Sequence, residues 1–244
     1  MQTRTLALET SGLSGSVAAC EGNRLLAECE LTPGQRSAQS LAPALQKLLA
    51  EVGWRPREIQ RVAVTVGPGS FTGLRVGVTT AKTFAYAVGA QVVGIDTLEV
   101  IAAQVPVDVA RVAVALDAQR QEVFAAVYGP ETPQGRLAIE PTRIVTVQAW
   151  LESLGGDSWV CGPVLEKLAG ELPPGVRPLA REFWHPRAAT VGRLAGQVFD
   201  RGGRDDVWQL APKYLRRSAA EEKWEQKAES GERIVESGER KAEC

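Results

Sequence analysis

The chain has 244 residues, is 44% hydrophobic, and sets 28 lysines and arginines against 29 aspartates and glutamates, for a net charge of −1. That balance excludes a protein whose overall field alone would hold nucleic acid or an anionic membrane, and the length admits one or two packed domains. No apolar run approaches the roughly 18 residues of a membrane span, and the N-terminus is read as lacking a basic leader followed by an apolar stretch.

The first elements in chain order are strands. Arg4–Glu9 reads as a buried strand, and the runs "GSVAAC" and "RLLAECEL" flank Glu21-Gly22-Asn23, a hairpin turn signal. A helix follows, capped by Ser37 or Ser40, with Pro43 tolerable near its first turn. Leu41, Leu45, Leu48, Leu49 and Val52 recur at helical spacing until Gly53 ends the run. Arg61–Val66 is a second buried strand, a glycine-rich segment leads into a helix reaching Val88, "QVVGI" is a further strand, and Thr97 caps a short helix.

After Val105–Asp108 the order restarts. Strands are expected at Arg111–Asp117, Glu122–Tyr128, Leu137–Val145 and in "SWVCG". Helices are expected at Val147–Leu154, Leu165–Leu172 and Ala188–Asp200. Two halves of like order indicate a duplicated α/β architecture. The halves expected are residues 1–106 and 107–218, with the last helix packing back on the first lobe. Residues 219–244 carry eight acidic and five basic residues and few large apolar ones, so a solvated, disordered tail is expected.

Glu9 and Asp117 each end the first strand of a half, just before a hairpin. Strand carboxyl ends face the ligand crevice in α/β sheets. Two such carboxylates could hold a hydrated Mg²⁺ on a nucleotide phosphate; equally, each could accept turn N–H bonds and bind nothing.

The segment "VGPGSFTGLRVGVTTAK" (Val66–Lys82) fails two known signatures. A P-loop needs lysine and a hydroxyl after its last glycine, where Gly73 is followed by Leu74 and Arg75. A dinucleotide fingerprint needs a third glycine where Thr72 stands. Gly67, Pro68 and Gly69 therefore make a tight strand-to-helix turn, with Ser70 or Thr72 as cap. Its helix end suits an anion, or the turn is plain and Gly73 and Gly77 admit another backbone. The helix itself is apolar on more than one side. Leu74, Val78, Ala81, Ala85 and Val88 line one face, while Phe71, Val76, Phe84, Tyr86 and Ala87 lie elsewhere, so a second covering surface is expected.

Other chemistry is discouraged. The single histidine, His185 in "WHPR", is read as a loop residue, and no G-x-S-x-G supports a hydrolase triad. Zinc-type spacing is absent, and Cys20, Cys29, Cys161 and Cys244 form neither a metal pair nor a disulfide framework, so reduced thiols in the cytoplasm are expected. "PKYLRR" (Pro212–Arg217) is a small basic patch able to touch phosphate or RNA, or a solvated end.

"GPGSFTGLRVGVTTAK" resembles the signature of the TsaB (YeaZ-type) family, "LALETSGLSGSVAA" and "LDAQRQEVFAAVY" (Leu116–Tyr128) resemble its other blocks, and "PKYLR" resembles its usual ending. The similarity spans Thr5 to Arg217. It implies the actin, sugar-kinase and Hsp70 (ASKHA) fold, an α/β class with two ribonuclease-H-like βββαβαβα halves. It implies a non-catalytic scaffold for the TsaD-type subunit that, with a TsaE-type ATPase, transfers threonylcarbamoyl to N6 of adenosine 37 in tRNA. Homodimerisation through the same surface is implied when the chain is alone. No catalytic residue or metal ligand is implied here, though ATP or ADP with Mg²⁺ could lie at the complex interface.

The implied docking face comprises Ser37, Leu41, Leu45 and Leu49 on the first helix. On the second it comprises Phe71, Gly73, Val76, Gly77, Thr80, Thr83, Phe84 and Ala87. The turn Gly67, Pro68, Gly69, Ser70, Phe71, Thr72, Gly73, Leu74 and Arg75 orients that second helix. Glu9, Thr10, Ser11 and Asp117 would be a vestigial nucleotide site. Departures from the family pattern fall at Ser37–Ala38, where many relatives have His-Ser, and at Glu9, where many have aspartate. The contrasting expectation is an ATPase or small-molecule kinase working through Glu9 and Asp117.

Overall fold

Three antiparallel strands, β1 (Arg4–Glu9), β2 (Ser16–Glu21) and β3 (Arg24–Glu30), begin the first sheet in the computed structural model, which describes residues 2–32, 37–132 and 135–216. Helix α1 (Ser37–Glu51) follows, and β4 (Arg61–Gly67) pairs parallel to β1. Helix α2 (Phe71–Val88) leads into β5 (Gln91–Asp96), parallel to β4, and α3 (Thr97–Ala102) closes the half. The strand order is β3-β2-β1-β4-β5.

The second half repeats this plan with β6 (Val112–Asp117), β7 (Glu122–Tyr128), β8 (Ala138–Thr146), α4 (Val147–Ser153), β9 (Trp159–Cys161), α5 (Leu165–Leu168), β10 (Arg177–Pro178) and α6 (Ala188–Asp200). Its order, β10-β9-β6-β7-β8, is the first order read from the opposite edge. The duplication is thus repeated in hydrogen bonding as well as in element order, and the two mixed sheets with helices form the expected α/β, ASKHA-type fold.

Three local readings are corrected. The cap of α3 is Asp96, not Thr97: its carboxylate accepts the N–H of Leu98 at 2.8 Å and of Glu99 at 3.3 Å, while Thr97 is the first helical residue. Helix α5 stops at Leu168 rather than Leu172, shortly before Gly170. Strand β10 was not anticipated, because two residues carry no periodicity.

Strand alternation splits the first sheet into unlike faces. Leu6, Leu8, Val17, Val62 and Val64 meet α1 and α2. Ala7, Ala18 and Ala63 face the other way, against Val191, Leu194 and Ala195 of α6. These alanines, with Gly192 of the helix, let α6 lie close: a Cβ at Gly192 would stand 2.7 Å from Cys20 Sγ. The last helix of the second half therefore packs on the first sheet. Reciprocally, Leu98, Ile101 and Ala102 of α3 join the second sheet's core with Val112, Val114 and Val123. Residues to Lys213 accordingly form one compact unit. The expected tail, 219–244, lies outside the described residues.

The first sheet also caps α6. The N-cap position, Arg187, offers no side-chain cap. Instead Ser16 Oγ accepts the N–H of Ala188 at 2.8 Å, and Glu28 Oε1 accepts that of Ala189 at 3.0 Å. The Glu28 side chain, 8% exposed, also pairs with the Arg187 guanidinium. Replacing Glu28 by alanine leaves the Ala189 N–H of α6 without its acceptor and Arg187 without its partner, and should cost about 1–2 kcal/mol. Urea denaturation checks this, and a loss below about 0.3 kcal/mol contradicts it, being within the range of an ordinary surface change.

Candidate functional site

The carboxyl ends of β1 and β4 lie side by side, so the turn after β1 meets the glycine segment after β4. Ser70 caps α2 by accepting the Gly73 N–H at 3.2 Å. Its own N–H donates to the Ser11 carbonyl at 2.7 Å. Thr10 Oγ1 donates to the Gly73 carbonyl at 2.8 Å. A Cβ on Gly69 would strike the Ser11 carbonyl, on Gly73 the Thr10 carbonyl, and on Gly77 the Thr10 hydroxyl. The glycines expected to admit a partner backbone thus admit the chain's own β1–β2 turn, and Gly73 and Gly77 are buried. Gly67, at φ 121°, lies against the Lys213 carbonyl, whose residue's N–H donates to Val66 O at 2.7 Å. The "PKYLR" ending therefore begins by clamping this turn, next to the cis Gly67–Pro68 bond.

Glu9, Thr10 and Ser11 are buried. Glu9 Oε1 accepts the Ser11 N–H at 2.7 Å, the Ser11 hydroxyl, and Thr65 Oγ1 at 3.4 Å. Its Oε2 has no hydrogen-bond partner among the described residues. Burial pushes this carboxyl up to about 7, against the opposing pull of the Ser11 and Thr65 donors and with a small push from Glu28.

Asp117, the matching residue of the second half, accepts the Gln119 N–H at 2.7 Å and pairs with Lys167 Nζ at 2.5 Å. Partial burial alone would raise it, but the Lys167 contact and the Gln119 N–H outweigh burial and hold it below the ordinary range. The turn after it runs through three successive left-handed residues, Gln119, Arg120 and Gln121, at φ 64°, 54° and 59°. Glu122 N–H closes it onto the Gln119 carbonyl at 3.0 Å.

A Mg²⁺ ion demands octahedral oxygen ligands at about 2.0–2.1 Å and keeps several waters. Glu9 is fully enclosed, with one oxygen engaged by three donors, and Asp117 faces a lysine. The pair does not fit a hydrated divalent ion. The turn-bonding alternative matches the atoms, since each carboxylate accepts the N–H two residues ahead. No group of three or more metal-type side chains occurs among the described residues. His185 sits 3.1 Å from Glu166 Oε1, away from any such group.

The expected docking residues divide. Leu41, Leu45 and Leu49 are buried at 2%, 7% and 8% in the chain's own first core, which corrects their assignment: the stripe that seals α1 to the sheet cannot also face a partner. Ser37, Phe71, Val76, Thr80 and Phe84 are half-buried, with Val76 and Phe84 packed against that core. Thr72, Arg75, Thr83 and Ala87 are exposed, Arg75 lying 4.0 Å over the Phe71 ring, and Leu74 is buried. Sequence reasoning missed Thr65 and Lys167, the partners of the two strand-end carboxylates; each is far away in sequence, and neither has a local signature.

Residues 32–170 match the family model described as TsaD, tRNA N6-adenosine threonylcarbamoyltransferase. The chain is 28% identical to the tRNA threonylcarbamoyladenosine biosynthesis protein TsaB of Bacillus subtilis, over 90% of this chain and 96% of that protein. To the Escherichia coli protein of the same name it is 30% identical, over 89% and 96%. The solved structure of YeaZ from Pseudomonas aeruginosa superposes with a TM-score of 0.75 at 26% identity, covering 87% of this chain and all of that one.

Proposed function

Because this chain belongs to the TsaB (YeaZ-type) family, we propose that it serves tRNA threonylcarbamoyladenosine biosynthesis as a non-catalytic subunit that docks on a TsaD-type protein. The observation carrying this reading is the outer face of α2. Thr79, Thr83 and Ala87 are exposed beside half-buried Val76, Thr80 and Phe84, an uncharged set flanked by Arg75 and Lys82 on a helix whose start is hydrogen-bonded to the turn after β1. Ser37, half-buried at the start of α1, is proposed as part of the same face.

It is also the proposed homodimer face when the chain is alone. The TsaE-type ATPase and tRNA are proposed to meet the chain through the complex. Any ATP or ADP with Mg²⁺ is assigned to the complex interface, because Glu9 is enclosed with three donors on one oxygen and Asp117 is paired with Lys167. That engagement also argues against an ATPase or kinase centred on this pair. No helix among the described residues is long and apolar enough to cross a membrane.

Size-exclusion chromatography with and without a TsaD-type protein tests the reading. A mixed complex is expected. Thr83→Glu with Ala87→Glu, both at exposed sites, should weaken it at least about tenfold, or about 1.4 kcal/mol. A wild-type chain that forms no complex would overturn the docking role. A double variant that binds normally would overturn the choice of face, and ATP turnover by the chain alone would overturn its non-catalytic character.

A further inference from the structure

We propose that Glu9 is a positioning residue for α2: its carboxylate fixes the Thr10–Ser11 turn, and that turn sets where the helix stands and so where its outer face is presented. The functional consequence rests on the docking reading above, and the positioning on atoms of this chain. Glu9 Oε1 gathers three donors at one point, two from Ser11 and one from Thr65 on the neighbouring strand. Thr65 Oγ1 in turn lies 3.4 Å from the Thr10 N–H. The turn is therefore held from both β1 and β4.

The turn then grips the helix through one backbone bond and one from a buried hydroxyl. Ser11 O receives Ser70 N–H at 2.7 Å, and Thr10 Oγ1 donates to Gly73 O at 2.8 Å. With glycine at 69, 73 and 77, no side chain of those residues lies between the helix and the turn. At Gly69 and Gly73 the helix meets the turn's own carbonyls, and backbone against backbone cannot absorb a shift by changing rotamer. The contact covers the first two turns of α2. Thr83 stands ten residues beyond Gly73, about 15 Å along the axis. A tilt of about 5° at the socket displaces it by about 1 Å, enough to spoil a close-fitting interface.

Glutamate is an expensive residue at this place, since it is wholly buried with one oxygen unpartnered among the described residues. A leucine would bury more cheaply but could accept nothing. Acceptor geometry at Oε1 is the property the position uses, and glutamine keeps it.

Three variants test the assignment: Glu9→Ala, Glu9→Gln and Thr10→Val, the last removing only the hydroxyl bond to Gly73. Hydrogen exchange of the amides of residues 70–74 is followed in the free chain, and affinity for the TsaD-type protein is measured in parallel. Glu9→Ala and Thr10→Val should speed exchange there and weaken binding, each about tenfold, while Glu9→Gln should leave both near wild type. Unchanged exchange in Glu9→Ala and Thr10→Val overturns the proposal, and so does a Glu9→Gln variant as disturbed as Glu9→Ala. Should Glu9→Ala not fold, Thr10→Val decides. If the wild type binds no partner, the docking reading fails while exchange still judges the socket.

Discussion

Replacing Glu9 with glutamine should remove a fall in stability of roughly 3 kcal/mol that the wild type suffers between about pH 4.5 and pH 8. The carboxyl is raised from 4.5 to about 7, chiefly by burial. The folded state thus prefers the neutral acid. Its contribution is fully present below the unfolded value, declines as pH rises, and is gone once pH passes the folded value. Two and a half pH units at about 1.36 kcal/mol each give the stated size. Asp96 and Glu99 are also raised by burial, but they are common to both proteins and cancel in the difference. Urea unfolding of both proteins across this range makes the check. Parallel curves would mean that Glu9 titrates in the fold as it does in the unfolded chain.

The second large effect is expected at Arg136, whose side chain is 1% exposed. One guanidinium nitrogen donates to the carbonyls of Val109 at 2.6 Å and Gly129 at 2.8 Å. The other reaches Pro106 O at 2.7 Å and Val105 O at 3.5 Å, while Nε faces Glu131 at 3.4 Å. Residues 105–109 are the link between the two sheets, so one side chain pins the link to the end of β7. Methionine there would fill similar space and leave those carbonyls unsatisfied. Arg136→Met should cost about 3–5 kcal/mol. Arg136→Lys, with three donors on one nitrogen instead of a planar fork, should recover only part of it. Thermal and urea melts of both variants provide the measurement, and a methionine variant within about 1 kcal/mol of wild type would contradict the clasp.

Much of the architecture was legible because it rests on local rules. The ends of β1, β7 and α6 fall where the apolar runs begin and stop, and Ser70 caps α2 as its position before the helix suggests. Asp96 outcompetes Thr97 as a cap because it lies one residue earlier, where the backbone is still extended. The site was less legible. The apolar stripe of α1 reads alike whether it faces a sheet or a partner, so Leu41, Leu45 and Leu49 were assigned outward when the fold turns them inward. The glycines of α2 announce a close approach without saying to what. Thr10 and Ser11 are some sixty residues away, and only the pairing of β1 with β4 brings them there. Lys167, likewise, reaches Asp117 only because β9 lies parallel to β6.

The exchange of helices between halves bears on synthesis. When the first hundred or so residues have left the ribosome, β1, β2, β4 and β5 can pair and Val100 of α3 can join that face, yet Ala7, Ala18 and Ala63 lack Val191, Leu194 and Ala195 until Ala188–Asp200 emerges. The nascent N-terminal half therefore lacks the α6 part of its cover until nearly the whole remaining chain is translated. A fragment ending at residue 106 would expose that apolar side, the kind of surface that holding chaperones bind.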